Sequence, residues 1–362
     1  MRVALHADQL AFAAPGGIAT YVRNLGPALA AAGAEVVPFH ARLREWRDEP
    51  WMAGMEVVAL PRGIRTLYPS WDLLGRPRLA LPEVDVVHAT NHVAVPPAAP
   101  RRALVVTVHD LAFLRSPELF PPRWRMLYRA GLRAAARRAD LVITPSRATA
   151  DDLLDRTGID DARVRVTPLA AALPHGTGRA SVALPERYVL SVGTLEPRKN
   201  LARLVRAYRR AAASGLDHAL VLAGPRGWRS GELDRELAAG GPGDVVVLGA
   251  LGADDLDATY RGASAFAYPS LLEGFGLPVL EAMARGVPVV ASTDRAIGEV
   301  GGGAILAVDP LDENAIADAL LAVVSDRTLA ARLAREGRER AAGFTWEATA
   351  AATLAAYREV AP

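Results

Sequence analysis

The chain predicts an α/β protein of two tandem domains, each a doubly wound parallel sheet, and three observations carry that prediction. Short apolar runs alternate with helix-like stretches almost throughout its 362 residues. A segment punctuated by glycine and proline interrupts the alternation near the middle, and the alternation then restarts. Alternation of this kind implies parallel strands whose helical connections cover both sheet faces. The length agrees with two domains at roughly 150 residues each.

Residues 2–6, 84–88, 103–108, 141–144 and 164–168 read as buried strands, with helices over 18–32 and 124–139. The segment 170–185 holds Pro174, Gly176, Gly178 and Pro185 without periodicity. It places a linker at 173–186, between a first domain of 1–172 and a second of 187–343. The second domain has expected strands at 188–192, 219–223, 245–248, 265–268 and 287–291. Its helices begin near Leu201, Asp254, Leu277 and Asn314. The tail 344–362 reads as a helix with Trp346, Leu354 and Tyr357 as its large apolar positions, able to return to the first domain.

Composition narrows the function. With 51% hydrophobic and 23% charged residues the chain has material for packed cores. A net charge of +2 gives no basic footprint on the scale of nucleic-acid binding. There is no cysteine, which excludes disulfides, thiolate nucleophiles and Cys-ligated metals. The N-terminus lacks the apolar core and cleavage site of a signal peptide, and no apolar run approaches the ~18 residues of a membrane span. The expectation is a soluble, cytoplasmic protein.

Three segments carry chemistry. Gly16-Gly17, between the first strand and first helix, permits close backbone approach to a ligand ahead of a helix N-terminus; a tight turn explains them as well. Gly193-Thr194-Leu195-Glu196-Pro197-Arg198-Lys199-Asn200 sets two adjacent cations before a helix start, where the dipole disfavours positive charge. A bound diphosphate would supply the missing negative charge. Asn200 is also a good N-cap residue. Lys199 is the only lysine in the chain, every other strong base being arginine. The third segment runs Tyr268-Pro269-Ser270-Leu271-Leu272-Glu273-Gly274-Phe275-Gly276-Leu277-Pro278-Val279-Leu280-Glu281-Ala282-Met283. A strand ends, a glycine-rich loop offers N–H groups to phosphate or sugar oxygens, and Pro278 suits a first helical turn. Glu273 stands in the loop and Glu281 early in the helix, where a carboxylate is also favourable for its own sake.

This third string, with Glu273 and Glu281 eight residues apart, resembles the signature of the family 4 glycosyltransferases, whose GT-B fold sets two Rossmann-like domains face to face across a cleft. Gly193 to Asn200 is similar to the family's diphosphate-binding loop, Gly16-Gly17-Ile18 to its N-terminal glycine loop, and Val108-His109-Asp110-Leu111 to the segment lining the donor sugar. The resemblance runs from the first strand to Trp346 and is weakest between Phe39 and Leu81. It implies Arg198 and Lys199 on the donor diphosphate, Glu273 on donor-sugar hydroxyls, Glu281 on the ribose and His109 beside the sugar. Gly193, Gly274, Phe275, Gly276 and Leu277 would line the donor site, while Asp110, Ser146 and Asn91 would line the cleft. It further implies retention of configuration, a nucleotide diphosphate sugar as co-substrate and no required cofactor or metal. A sugar, lipid-linked or small-molecule acceptor would receive the sugar, in polysaccharide biosynthesis. Gly17-Ile18-x-x-Tyr21 and His88-Ala89-Thr90-Asn91 resemble the mannosyl- and rhamnosyl-transferring branch, which points to a GDP-mannose-type donor.

Other readings stand beside these. Asp255-Leu256-Asp257 has the spacing of a metal-binding DxD, but it follows Gly252 at a helix start, where Asp254 or Asp255 is expected to cap. His88 and His92 flank Thr90-Asn91 at a strand end and are candidates to line the cleft. His6, His40, His175 and His218 belong to no constellation. Arg125, Arg129, Arg133 and Arg137 form one basic helical stripe beside Trp124, Met126 and Leu127, either a solvated face or a contact with anionic lipid at the inner membrane face. Trp46, Trp51, Tyr68 and Trp71 are equally readable as core or as a stacking surface for a sugar. A nucleotide-sugar epimerase would call for more acid–base groups than Glu273 and His109. A non-catalytic nucleotide-sugar-binding protein is the other alternative; Gly301-Gly302-Gly303 does not make a G-x-G-x-x-G after a strand.

Overall fold

The computed structural model describes every residue except 13–15, 47, 98, 173–175, 177 and 179. Pro174 and His175, with part of the segment 173–186, lie outside the described residues. The chain divides into two units, Met1–Leu169 with Thr345–Pro362, and Ala170–Phe344.

In the first unit β1 (Arg2–His6) leads to α1 (Gly17–Ala31), β2 (Glu35–His40), β3 (Val58–Ala59), α2 (Ile64–Pro69), β4 (Val86–Ala89) and β5 (Ala103–Thr107). Then follow α3 (Ala112–Arg115), α4 (Pro122–Arg138), β6 (Leu141–Thr144), α5 (Arg147–Thr157) and β7 (Val164–Val166). Among the described residues the strands form one parallel sheet in the order β3-β2-β1-β4-β5-β6-β7. Val3, Ala4 and Leu5 of β1 are wholly buried, as central strands covered on both faces must be. Winding reverses between β1 and β4, the place where doubly wound sheets open a crevice at the strands' carboxyl ends.

Two strands, β2 just ahead of the region of weakest sequence match and β3 within it, are not announced by the apolar pattern. β2 carries Pro38 opposite Leu5 of β1; a proline inside a strand argues against one because it removes a ladder donor. The aromatics nearby have settled into packing. Tyr68 and Trp71 are 7% and 1% exposed, which decides for the core. Trp46 stacks on His40 with centroids 3.9 Å apart, and Trp51 lies against Gly26, where an added Cβ would collide with the indole.

The second unit repeats the plan: β8 (Tyr188–Val192), α6 (Leu201–Ala213), β9 (Ala219–Ala223), α7 (Gly231–Ala239), β10 (Val245–Gly249), α8 (Ala253–Gly262), β11 (Ala265–Tyr268), α9 (Leu277–Ala284), β12 (Val289–Ser292), α10 (Arg295–Gly301), β13 (Leu306–Val308), α11 (Glu313–Ser325) and α12 (Arg327–Ala341). Its strands are parallel in the order β10-β9-β8-β11-β12-β13. α6 and α11 bury Leu204, Val205, Tyr208, Ile316 and Leu320 on one sheet face against Leu220 and Leu222. Asp294, Asp312 and Asp326 accept backbone N–H bonds at the starts of α10, α11 and α12, satisfying donors that a helix start leaves unpaired. Here too winding reverses after the first strand, between β8 and β11.

The tail forms α13 (Trp346–Val360), capped by Thr345, and it belongs to the first unit. Thr349 Oγ1 donates to Pro168 O at 2.7 Å. The Tyr357 hydroxyl lies 2.5 Å from His88 Nδ1 on β4.

Candidate active site

Because β8 and β11 flank the winding reversal, the loops leaving their carboxyl ends are neighbours although some 74 residues separate them. The loop after β8 opens at Gly193, whose φ of +154° and whose closeness to Lys199 leave little room for a side chain. A turn at Pro197–Lys199 follows, and Asn200 takes a left-handed φ of +59° before α6. Asn200 occupies the N-cap position, but its side chain makes no capping bond. Its Nδ2 instead donates to Pro269 O at 3.0 Å and Pro310 O at 2.7 Å. The amide therefore fastens the cation-bearing loop to the loop after β11.

The fastening brings Arg198, Lys199 and Glu273 together. Lys199 Nζ donates to Glu273 Oε1 at 2.6 Å and to the Tyr268 hydroxyl at 2.6 Å. The same hydroxyl donates to Glu273 Oε1 at 2.9 Å, and Ser270 Oγ donates to that oxygen at 2.5 Å. Arg198 NH1 donates to Glu273 Oε2 at 2.9 Å and to Leu272 O at 2.9 Å, while its Nε donates to Glu196 Oε1 at 3.0 Å. Glu196 and Lys199 are 5% and 9% exposed. Burial opposes the charge on Glu273, but the Arg198 and Lys199 charges and the hydrogen bonds outweigh it and hold the carboxyl at about 2. Burial, reinforced by Arg198, moves the Lys199 ammonium below its ordinary value despite Glu273 and Glu196. Burial and Glu273 push the Tyr268 phenol well up, so it remains a proton donor.

Gly276, at φ +106°, starts α9, with Leu277 and Pro278 in its first turn. Gly274 lies in the loop before it, and Phe275 packs edge-on against Phe344 at 5.9 Å. Glu281 lies one turn into α9 and is not bonded to the cation cluster. Its Oε2 accepts from the Tyr260 hydroxyl at 3.0 Å. Burial raises its carboxyl to about 7, only partly offset by Tyr260 and Arg285. Arg285 is held by Asp257 at 2.7 Å and donates to the Glu281 carbonyl at 3.1 Å. Asp257, 1% exposed, also binds Arg261, and Asp255 accepts from Ser181 N and Oγ. Gly252 is the N-cap of α8 and no side chain caps it. The capping expected of Asp254 or Asp255 is therefore not found, because both sit inside the first turn.

The remaining sequence-chosen residues lie in the first unit. Gly16 caps α1 through its backbone and Gly17 begins the helix. His109 Nε2 donates to Thr90 O at 2.8 Å, which fixes its proton there, and burial lowers its pKa. The ring sits edge-on to Tyr21 at 5.1 Å. Asp110 Oδ1 accepts from Ala112 N at 3.0 Å and Asn91 Oδ1 from Val93 N at 2.8 Å. Ser146, two residues past the end of β6, caps α5 through Thr149 N at 3.1 Å. His88 is buried and held to about 3, chiefly by desolvation and then by His109 and His6. Its Nε2 contacts Thr107 Oγ1 at 2.7 Å, and Tyr21 OH contacts the same oxygen at 3.2 Å. His92 stacks on Phe113.

Glu196, Tyr268 and Ser270 were inside the quoted strings without being singled out. Their signal was position: each flanks Arg198, Lys199 or Glu273 at a strand end. Tyr260 and Arg285 carried no sequence signal, and Asp257 stood out only within its DxD spacing, because only the folding of α8 against α9 brings them to Glu281.

Comparison with known proteins decides the family. Residues 179–340 match the model for "Glycosyl transferases group 1" and residues 15–171 that for "Glycosyltransferase Family 4". O-antigen chain mannosyltransferase B of Escherichia coli is 33% identical over 266 residues, 70% of each chain. The protein belongs to the family 4, group 1 glycosyltransferases. D-inositol 3-phosphate glycosyltransferase of Salinispora arenicola is 35% identical over 293 residues, 71% of this chain and 63% of that protein's length. Among solved structures, sucrose-phosphate synthase from Thermosynechococcus elongatus covers 99% of this chain, and this chain 98% of it, with a TM-score of 0.72 at 24% identity. The shared architecture is the GT-B fold.

Proposed function

We propose that this glycosyltransferase moves a hexose, with retention of configuration, from a nucleotide diphosphate sugar to a sugar or lipid-linked acceptor. The observation that carries the reading is the convergence of Arg198 and Lys199 on Glu273 at the reversal point of the second unit. Departure of a nucleoside diphosphate builds negative charge on its β-phosphate, and two buried cations beside a glycine-lined loop stabilise such charge in place. Glu273 would accept hydrogen bonds from donor-sugar hydroxyls, Glu281 would meet the ribose diol, and His109 would stand beside the sugar. With no evident covalent nucleophile among these residues, attack takes place on the face the leaving group departs from. The departing phosphate oxygen takes the acceptor's proton. The reaction needs no metal in this scheme. The mannosyltransferase relative favours a GDP-mannose-type donor.

The test is thermal stabilisation by GDP, UDP, dTDP and ADP and their sugars, repeated on Lys199→Ala and Glu281→Ala. One nucleotide family should stabilise the parent protein, and both variants should lose that effect. Absence of stabilisation by every nucleotide would remove the reading.

A peripheral membrane contact belongs to the same proposal. Among the described residues no helix is long and apolar enough to cross a membrane. α4 nevertheless presents Arg129, Arg133 and Arg137 to solvent, with Arg125 half-buried. Met126 and Trp124 beside them are 72% and 39% exposed. Such a face suits an anionic lipid surface, at about 1 kcal/mol per arginine. Sedimentation with phosphatidylglycerol vesicles should fall about 100-fold in affinity for a triple Arg129→Ser, Arg133→Ser, Arg137→Ser variant. Equal sedimentation of variant and parent would leave α4 a solvated face.

A further inference from the structure

The two cations that would hold a diphosphate are already neutralised, by carboxylates that belong to the protein. Glu273 takes one oxygen to Lys199 at 2.6 Å and the other to Arg198 at 2.9 Å, and Glu196 takes a second edge of the same guanidinium at 2.9 Å. Two cations face two carboxylates in a cluster whose side chains are at most 15% exposed. A diphosphate entering this cluster would confront a balanced set of charges with no surplus to offer. It could take the full charge of the ammonium and the guanidinium only in competition with the carboxylates that already hold them.

From this geometry we propose that Glu273 is a built-in counter-ion for the diphosphate site, released from Arg198 and Lys199 when the donor binds and returned to them when the nucleoside diphosphate leaves. The inference rests on the function proposed above, which places the diphosphate on those two residues. It adds that the carboxylate serving the sugar also competes with the nucleotide.

The neighbours of Glu273 suit such an exchange. Tyr268 and Ser270 both donate to Oε1, the oxygen that Lys199 also holds. A carboxylate that has lost its cations keeps two hydroxyl donors and is not left bare in a buried site, where an unpaired charge is expensive. Tyr268 also accepts from Lys199 Nζ, so the ammonium keeps one fixed partner whichever anion occupies the other side. Tyr268 is therefore a positioning residue common to both arrangements. While Arg198 and Lys199 hold it, Glu273 is a full anion in the neutral range despite its burial. After transfer, the same competition favours departure of the product, since the carboxylate is tethered to the loop while the nucleotide is free to diffuse.

The experiment is calorimetric titration of inorganic pyrophosphate, GDP and UDP into the parent protein and Glu273→Gln. The amide keeps the shape of the side chain and one accepting oxygen, but surrenders the charge and the second acceptor. Glu273→Gln is expected to bind pyrophosphate at least about tenfold more tightly than the parent does. It should bind the nucleoside diphosphate of the donor family more tightly by a similar factor and be correspondingly more sensitive to product inhibition. Its sugar transfer falls, because the donor-sugar contact is weakened. Glu273→Asp, whose shorter carboxylate stays in the loop but reaches the cations less well, should fall between the two; it serves equally if the glutamine variant does not fold. Unchanged or weaker pyrophosphate binding by both variants would overturn the counter-ion role while leaving the diphosphate assignment standing. Failure of every protein to bind any of the three probes would overturn that assignment and this inference with it.

Discussion

The two units wind their sheets by the same rule, yet the carboxyl ends of their strands carry opposite kinds of chemistry. In the second unit, the reversal point between β8 and β11 gathers Glu196, Arg198, Lys199 and Glu273, with Asp257, Glu281 and Arg285 behind them on α8 and α9. In the first unit, the corresponding strands β1, β4 and β5 gather mainly rings and hydroxyls, with the carboxylates Asp8 and Asp110 beyond β1 and β5. Tyr357, His88, Thr107 and Tyr21 form one buried chain of contacts, and His109 packs against its end. Desolvation holds His88 to about 3 and lowers His109 from the ordinary imidazole value. Neutral donors and acceptors suit hydroxyl groups; paired charges suit a diphosphate. One topology, used twice, thus carries two kinds of side-chain chemistry at its loop ends.

The largest effect expected from this contrast comes from removing the charges that define the second unit. A double Arg198→Ala, Lys199→Ala variant should lose about 10³-fold or more of its sugar transfer, assayed by nucleotide release with the donor that stabilises the parent. It should also lose stabilisation by the matching nucleoside diphosphate. Transfer within a few-fold of the parent would break the comparison, because the charged end would then have no part in the leaving group's departure.

How much of this was legible beforehand follows from which distances the sequence encodes. Arg198, Lys199, Glu273 and Glu281 stood out because each lies in a short string with unusual local demands: cations ahead of a helix, one carboxylate in a glycine-rich turn and a second in the helix that follows it. Central strands such as β1, β8, β9 and β11 matched their apolar runs residue for residue, since burial on both faces leaves few polar positions to blur them. β2 escaped because Pro38 contradicts the local pattern, and β3 because two residues carry no period. The partners of Glu281 were invisible for another reason: Tyr260 is 21 residues away and meets it only through packing of α8 on α9. The N-cap of α8 falls at Gly252, two residues before Asp254, so the aspartates expected to cap it lie in its first turn.

A smaller effect, on stability and not on chemistry, should appear at Glu281. Its carboxyl titrates near 7 in the folded protein against an ordinary value of 4.5, because burial disfavours the charge. The folded protein therefore keeps a proton that the unfolded chain has already released. Stability should fall as pH rises from about 4.5 to about 7, with the loss complete above that range, by on the order of 3 kcal/mol. Glu281→Gln removes the titrating group and should flatten that part of the pH–stability curve, followed by denaturant unfolding at several pH values. A variant with the parent's slope between pH 4.5 and 7 would place the pH dependence elsewhere.

The smallest effect, and the one that sharpens the contrast most, lies in the neutral chain of the first unit. Tyr357→Phe removes the hydroxyl 2.5 Å from His88 Nδ1 and leaves that nitrogen buried without its partner. A buried polar atom deprived of its hydrogen bond costs about 1–3 kcal/mol. The ring itself is wholly buried and its packing is kept by phenylalanine, so the loss is confined to the bond. The first unit should therefore unfold earlier on heating, while stabilisation by the nucleoside diphosphate, which depends on residues of the second unit, should be unchanged. If nucleotide binding instead weakened in step with the first unit's stability, the two chemistries would be coupled, and the neutral chain would have to be counted as part of the donor site.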